Sequence, residues 1–350
     1  MTNSLKMTLI EKIPLQEIDL TDDTFSVNFM PDIERLRSSI EEVGLIQPTL
    51  LRKRPGKYQI VCGFRRITAL REMGSPEVEA SVLEEDDEFK LFCLSLHDNL
   101  TTRGLNTVER AMALDKLIHY FKIDRSVVVR RFLSIFSLET NEKILDTFLS
   151  LAKMEDEVKA YVLKEEVSRS NIRRLAALSA EDRRATLSLI LPLKLGENSL
   201  RETLALLEEI SQRNQCTVRK IVEDPQIQAP LAQEELTHSQ KTERLKKVLM
   251  GLRYPRMRQL EERFEKGRRA LNLPPGVFLN HPPSFEGKGL KVDFQFKTLE
   301  QYQAVLSALS VLPEMGEFKE MVRDDLTTEP QRGTAATKNH DGRWTKDDER

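Results

Sequence analysis

The stretch Gln59-Ile60-Val61-Cys62-Gly63-Phe64-Arg65-Arg66-Ile67-Thr68-Ala69 decides the fold class of the N-terminal region. A strand-like apolar run stops at a glycine, and a helix with two arginines in its first turn starts at once. Free N–H groups at a helix start, with two guanidinium forks beside them, form a ready anion site. The glycine lets backbone come close to a phosphate. Taken alone, the same arginines also suit a solvated helix face.

Strand and helix signals alternate on both sides of this stretch. Thr8–Ile13 reads as a strand, and residues 31–43 as a helix with Ile33, Leu36, Ile40 and Val43 on one face and Gly44 as its stop. Thr49–Arg52 and Tyr58–Val61 pair as a hairpin across Arg54-Pro55-Gly56-Lys57. The arginine-bearing helix runs to about Met73 and ends at Gly74, and Val78–Val82 adds another strand. Residues 1–104 are therefore expected to form a small α+β domain.

Strand signals stop at Thr107. Short amphipathic helices follow at about 107–121, 125–136, 140–152, 155–164, 169–178, 181–194 and 199–212, with cap residues such as Asp124, Thr140, Ser168 and Ser199 at the breaks. That makes 105–223 an all-α domain and 224–240, with Pro225 and Pro230, a linker. Residues 241–323 then form a small α/β unit: a helical stretch interrupted at Pro255, strands at Val277–Leu279 and Leu290–Phe296, and a helix from Leu299 to Leu312. The polar tail 324–350 is expected to be disordered.

Charge sharpens this division. The 350 residues carry 54 basic and 56 acidic side chains, so uniform cationic coating of a polyanion is excluded and basic surface must be local. Residues 236–323 hold 16 basic and 10 acidic side chains, and Lys241–Arg269 is the densest basic segment. It suits either phosphate contact or a dimer helix with snorkelling side chains. Cys62, Cys93 and Cys216 form no CxxC pair, which argues against a disulfide scaffold or structural zinc and fits a reducing cytoplasm. Cys62, on the strand before Gly63, reads as a buried thiol. No apolar run approaches the ~20 residues of a membrane span.

A second constellation is His97-Asp98-Asn99-Leu100-Thr101-Thr102-Arg103-Gly104-Leu105-Asn106-Thr107. A carboxylate beside an amide suits Mg²⁺ held on nucleotide phosphates. The same residues also read as a helix end followed by an N-capped helix at Asn106 or Thr107. With Gly44-Leu45-Ile46-Gln47-Pro48 and the Gly63 segment, in this order, the pattern resembles the ParB partition-protein family. That family carries a Gln-Pro box, then Gly-Glu-Arg-Arg-x-Arg-Ala, then Glu-Asn-x-Gln-Arg leading into Leu-Asn-Pro. Here Gln47-Pro48, Gly63, Arg65, Arg66, Ala69, Asn99 and Leu105-Asn106 match. Phe64 and Thr68 replace a Glu and an Arg, Asp98 is a shortened Glu, and Thr101-Thr102 replace Gln-Arg. The resemblance covers about residues 8–212.

It implies an N-terminal ParB/sulfiredoxin-like fold followed by a helix-turn-helix domain, in a cytoplasmic, nucleoid-associated protein. By resemblance the ligands are CTP and Mg²⁺. Gln47, Gly63, Arg65, Arg66, Asp98 and Asn99 would line the nucleotide site, with Asp98 and Asn99 beside the metal. The departures remove donors, so any CTP hydrolysis is expected to be weak. The implied partners are double-stranded DNA, a second copy of the chain, which would close as a clamp, and a partition ATPase. Residues 124–136, a turn, and 140–151 have helix-turn-helix spacing. The second helix offers Asn141, Lys143 and Thr147 to a groove but also carries Glu142 and Asp146, which phosphates repel. Arg125, Arg130, Arg131, Lys143, Arg169, Arg173 and Arg174 are the candidate DNA contacts, acting mainly on phosphates. Two other classes stay open: a nucleotide-dependent enzyme or nuclease of this fold, and a regulator with a degenerate pocket.

Overall fold

The computed structural model describes residues 7–323 apart from 283, 284 and 286–288; the expected disordered tail lies outside the described residues. The chain divides into two compact units. One comprises residues up to Ser211 with Gln215–Asp224, the other Gln212–Asn214 with residues from Pro225 onward.

The first unit opens with a mixed five-stranded sheet of β1 (Glu11–Pro14), β2 (Ile18–Asp19), β3 (Thr49–Arg54), β4 (Lys57–Cys62) and β5 (Glu77–Leu83), in the order β1-β5-β3-β4-β2. β3 runs antiparallel to β4 and parallel to β5. Regular pairing of β1 starts later than the expected Thr8, although the Thr8 N–H already bonds to the Val82 carbonyl at 3.0 Å. Arg54 pairs with Lys57, so Pro55-Gly56 is a two-residue hairpin loop, with the second position at φ +81° as a Pro-Gly turn requires.

α1 (Glu34–Val43) and α2 (Phe64–Glu72) pack together on the sheet over Ile18, Ile40, Leu51, Ile60, Ile67 and Leu70. Each such side chain contributes about 1.5–3 kcal/mol when fully buried. The long helix α3 (Glu88–Thr102), N-capped by Asp87, is signalled in the sequence only at its C-terminal end. Its stretch Phe89-Lys90-Leu91-Phe92-Cys93-Leu94 is apolar almost throughout, so it shows no one-sided stripe.

Helices fill the rest of this unit. α4 (Thr107–Asp115) continues into a π-helical turn at Lys116–Tyr120, and α5 (Arg125–Val127) and α6 (Leu133–Ile135) flank another at Val128–Phe132. α7 (Glu142–Ala152) packs on α4. α8 (Asp156–Lys164), α9 (Arg169–Ala177), α10 (Ala180–Ile190), α11 (Glu197–Asn214) and α12 (Val218–Val222) complete the series. Phe92 of α3 stacks on Phe121 at 4.6 Å, and Phe89 meets Phe132 edge-on at 6.2 Å. These rings join the sheet-bearing part to the helical part.

The second unit contains α13 (Pro225–Gln228), α14 (His238–Arg253) and α15 (Pro255–Ala270), the last two separated at Tyr254 where the proline forces a break. The hairpin of β6 (Val277–Asn280) and β7 (Lys291–Phe294) follows, β7 being shorter than the expected 290–296. α16 (Leu299–Val311) and α17 (Gly316–Arg323) close the unit around Leu260, Phe264, Leu279, Phe285, Leu312 and Met321. No helix among the described residues is long and apolar enough to cross a membrane.

A buried charge pins the sheet to α3. Arg52 of β3 is 2% exposed. It donates from Nε to Gln59 Oε1 at 3.0 Å, from Nη1 to the Asp86 carbonyl at 3.3 Å and from Nη2 to Glu88 Oε1 at 2.9 Å. Gln59 in turn donates to Asp22 at 2.7 Å, which holds the loop after β2. Removing the anion strands a buried guanidinium, which costs far more than a surface pair. Glu88→Gln is therefore expected to lower unfolding free energy by about 3 kcal/mol, read as a fall in the urea midpoint.

Candidate functional site

Gly63 caps α2 with φ +99°, a conformation that glycine adopts freely and other residues resist. A Cβ there would lie 2.8 Å from Cγ2 of the buried Thr49 and 3.1 Å from Arg66 Nη2. The β4–α2 turn is thus closed against both the sheet and its own arginine, and it sets where α2 begins.

All six residues named from the first motifs meet at one pocket of about 180 Å³. Gln47, Gly63, Arg65, Arg66, Asp98 and Asn99 line it, joined by Ser26, Asn28, Phe64, Thr102 and Arg103. Arg66 folds over the pocket floor, donating from Nη1 to the carbonyls of Gln47 at 2.8 Å and Pro48 at 2.9 Å. Its Nη2 stands 3.8 Å from Asp98 Oδ2. Arg65 points inward as well, donating to Asn28 Oδ1 at 2.9 Å and to Glu109 at 2.7 Å. Burial, and next the neighbouring Arg103 charge, pull the Arg65 pKa below its ordinary value, with Glu109 opposing.

The departures from the motif have visible consequences. Thr68 Oγ1 donates to its own helix at the Phe64 carbonyl, and Thr101 and Thr102 donate back to His97 and Asp98 carbonyls. Each of these hydroxyls commits its proton to a backbone carbonyl of its own helix. Phe64 packs against the sheet core, where a carboxylate would be costly. Arg103, one position beyond Thr102, turns back: its Nε donates to Asn99 Oδ1 at 2.8 Å and its Nη2 to Asn28 at 3.2 Å. The pocket therefore has three guanidiniums. Asn28 and Arg103 were not among the site residues named from sequence. Asn28 sits on a loop far from every motif and had no local signal.

The donor set fits a polyphosphate. Three cationic forks surround a glycine-backed turn, and no cluster of three or more His, Cys, Asp or Glu able to hold a metal is present among the described residues. Mg²⁺ rarely needs a full protein cage, since one carboxylate with phosphates and water suffices. Asp98 offers that carboxylate, and Asn99 an amide oxygen already shared with Arg103. Cys62 lies behind the pocket at 1% exposure, its thiol pushed up to about 12 chiefly by burial and then by the Asp98 charge. It is a packing residue and not an activated nucleophile.

The second group of predicted residues lies apart from the pocket, on the helical segment. Two readings of α7 require correction. Asn141 is its N-cap, its side chain accepting from the Lys143 N–H at 2.8 Å, and Thr147 is 3% exposed with its hydroxyl bonded to the Lys143 carbonyl. Helical phase turns Thr147 to the core, so it faces no groove. Lys143 stays exposed.

Arg125 reaches across to the α7 acids, donating to Glu142 at 2.9 Å and Asp146 at 2.6 Å, and these two bonds raise its pKa. Arg169 pairs with Glu139 at 3.1 Å and Arg174 with Glu208 at 2.9 Å. Arg130 bonds Ser126, Arg131 lies over the Phe132 ring, and Arg173 is exposed. The helical segment is a surface of weak, exchangeable ion pairs.

Gly63→Ala is expected to destabilise the first unit by about 1–3 kcal/mol through overpacking and backbone strain. It should also displace Arg66, and a thermal melt together with an anion-binding assay checks both effects.

Comparison with known proteins now bears on this geometry. A family model described as the ParB N-terminal domain matches residues 1–100. The nucleoid occlusion protein of Halalkalibacterium halodurans is 27% identical over 176 residues, covering 49% of this chain and 59% of that protein. The probable chromosome-partitioning protein ParB of Coxiella burnetii is 28% identical over 195 residues, 56% of this chain and 64% of its own length. The chain thus spans less than two thirds of either relative. A solved structure of C-terminally truncated chromosome-partitioning protein ParB from Caulobacter crescentus, complexed with CTP-gamma-S, aligns at 26% identity over 49% of this chain and 94% of its own, with a TM-score of 0.25. Residues 1–100 match the ParB N-terminal domain, and the resemblance to the ParB family read from the motifs holds.

Proposed function

We propose that the chain is a DNA-binding protein of the partition and nucleoid-occlusion class whose N-terminal pocket takes CTP. The observation that carries this reading is the meeting of Gln47, Gly63, Arg65, Arg66, Asp98 and Asn99 around one pocket with a third guanidinium from Arg103. The domain match over residues 1–100 and the names of the relatives support the same reading.

In this reading the β4–α2 turn and the guanidiniums of Arg65, Arg66 and Arg103 hold the phosphates by charge-assisted hydrogen bonds. Asp98 and Asn99 would hold Mg²⁺, which neutralises phosphate charge when bound. The threonine hydroxyls at 68, 101 and 102 are committed to their own helices. Few groups are left to orient an attacking water, so hydrolysis is weak at most. Duplex DNA is held by phosphate contacts from Arg125, Arg130, Arg131, Lys143, Arg169, Arg173 and Arg174, and the ion pairs of Arg125, Arg169 and Arg174 exchange for phosphates. The stretch 224–240, expected as a linker, carries α13 and the start of α14. The same proposal places residues 1–104 as the nucleotide domain, 105–223 as the DNA-binding domain and 241–323 as a C-terminal unit. It extends to a homodimer associated with the nucleoid and a partition ATPase as partner.

Two measurements test it. Calorimetric titration with CTP and Mg²⁺ should give saturable heat that Arg66→Ala abolishes, whereas unchanged binding in that variant contradicts the phosphate assignment. Duplex retention should fall steeply with salt and proceed without strand cleavage. Arg173→Ala should weaken all duplex sequences about equally and reduce the salt slope by roughly 1. Cleavage in Mg²⁺ would instead favour a nuclease.

A further inference from the structure

The carboxylate best connected to the pocket belongs to a residue that no motif named. Glu109 of α4 has a fully buried side chain. Its Oε1 accepts from Arg65 Nη2 at 2.7 Å and from the Phe29 N–H at 3.4 Å. Its Oε2 accepts from Arg103 Nη1 at 2.7 Å and from the Asn106 N–H at 3.1 Å. The Glu109 N–H donates to Asn106 Oδ1 at 2.8 Å, closing a capping box at the start of α4.

One buried anion thus faces two guanidiniums whose side chains are 24% and 22% exposed. Asn28 Oδ1 accepts from Nε of Arg65 and Nη2 of Arg103, and Arg103 Nη1 also donates to the Gly104 carbonyl at 2.9 Å. Left to themselves, two like charges this close would swing apart into water. Arg65 and Arg103 line the pocket, whereas Glu109 stands behind them and does not.

We propose that Glu109 is a positioning residue for the anionic ligand: it holds Arg65 through Nη2 and Arg103 through Nη1, so that their remaining N–H groups are presented to a phosphate, and it ties that pair to the first turn of α4. The inference rests on the phosphate reading of the pocket given above. A planar fork loses less freedom on binding when one edge is already fixed. The tie also gives ligand binding a mechanical route into the helical segment, because any pull on the two arginines is a pull on the α4 cap. The carboxylate never touches the ligand.

The test is a double-mutant cycle on the full chain, titrating CTP with Mg²⁺ into the wild type, Glu109→Gln, Arg103→Ala and the combination. Each single change should weaken binding by roughly tenfold, and the combination should lose clearly less than the two losses summed, because Glu109 acts in part through that arginine. Thermal melts of all four show that the folded chain is being titrated. If Glu109→Gln does not fold, Arg103→Lys keeps the charge and removes the fork. It should bind about tenfold more weakly at an unchanged melting temperature, and full affinity in that variant overturns the proposal. Losses that simply add in the cycle overturn the positioning role alone. A wild-type chain that takes up no CTP overturns the pocket reading itself, and this role with it.

Discussion

The first unit turns on the burial of one carboxylate between two arginines. Glu109 compensates Arg65 of α2 through Oε1 and Arg103 at the end of α3 through Oε2, and the same Oε2 caps α4. A buried ion pair is poor at adding stability, because desolvation consumes most of the attraction. It is good at fixing geometry, since any other arrangement leaves a charge without a partner. Here the fixed geometry is that of a cationic pocket at the junction of strand, helix and helical segment.

That junction explains why sheet and helices fall within one compact unit. Arg52 and Glu88 bind α3 to the sheet, the stack of Phe92 on Phe121 binds it to the helical part, and Glu109 closes the remaining corner. The pocket lies at the C-terminal end of α3, beside the last of these ties. Its arginines are held by protein acceptors before any ligand arrives, which lowers the entropy cost of binding. The helical surface is organised differently. Arg125, Arg169 and Arg174 rest in exposed pairs with Glu142, Asp146, Glu139 and Glu208, which a phosphate backbone can displace at little cost.

Much of this was legible because the relevant signals are local. Gly63 followed by two arginines marks a strand-to-helix turn, and the hairpin at Pro55-Gly56 and the break at Pro255 are read from single residues. The caps Asp124 and Ser168 were equally plain, whereas Asn141 caps α7 in place of Thr140 and Ser199 lies inside α11. Three things were not legible, each for a physical reason. α3 is wedged inside the unit and so lacks the one-sided stripe that identifies a surface helix. Thr147 is polar, yet helical phase buries it. Asn28 and Glu109 meet Arg65 across 37 and 44 positions of chain, and Asn28 meets Arg103 across 75. The spacing of Asn106 and Glu109 does announce a capping box, but nothing local says that the same carboxylate also brings the distant Arg65 beside the nearby Arg103.

The central claim is that three guanidiniums act together on one polyanion. The most direct test is an NMR titration of the arginine Nε–H signals with CTP and Mg²⁺. The account predicts that the signals of Arg65, Arg66 and Arg103 shift together along one saturation curve, with those of the exposed arginines on α9 unchanged. Shifts spread over exposed arginines, with these three unmoved, would contradict it.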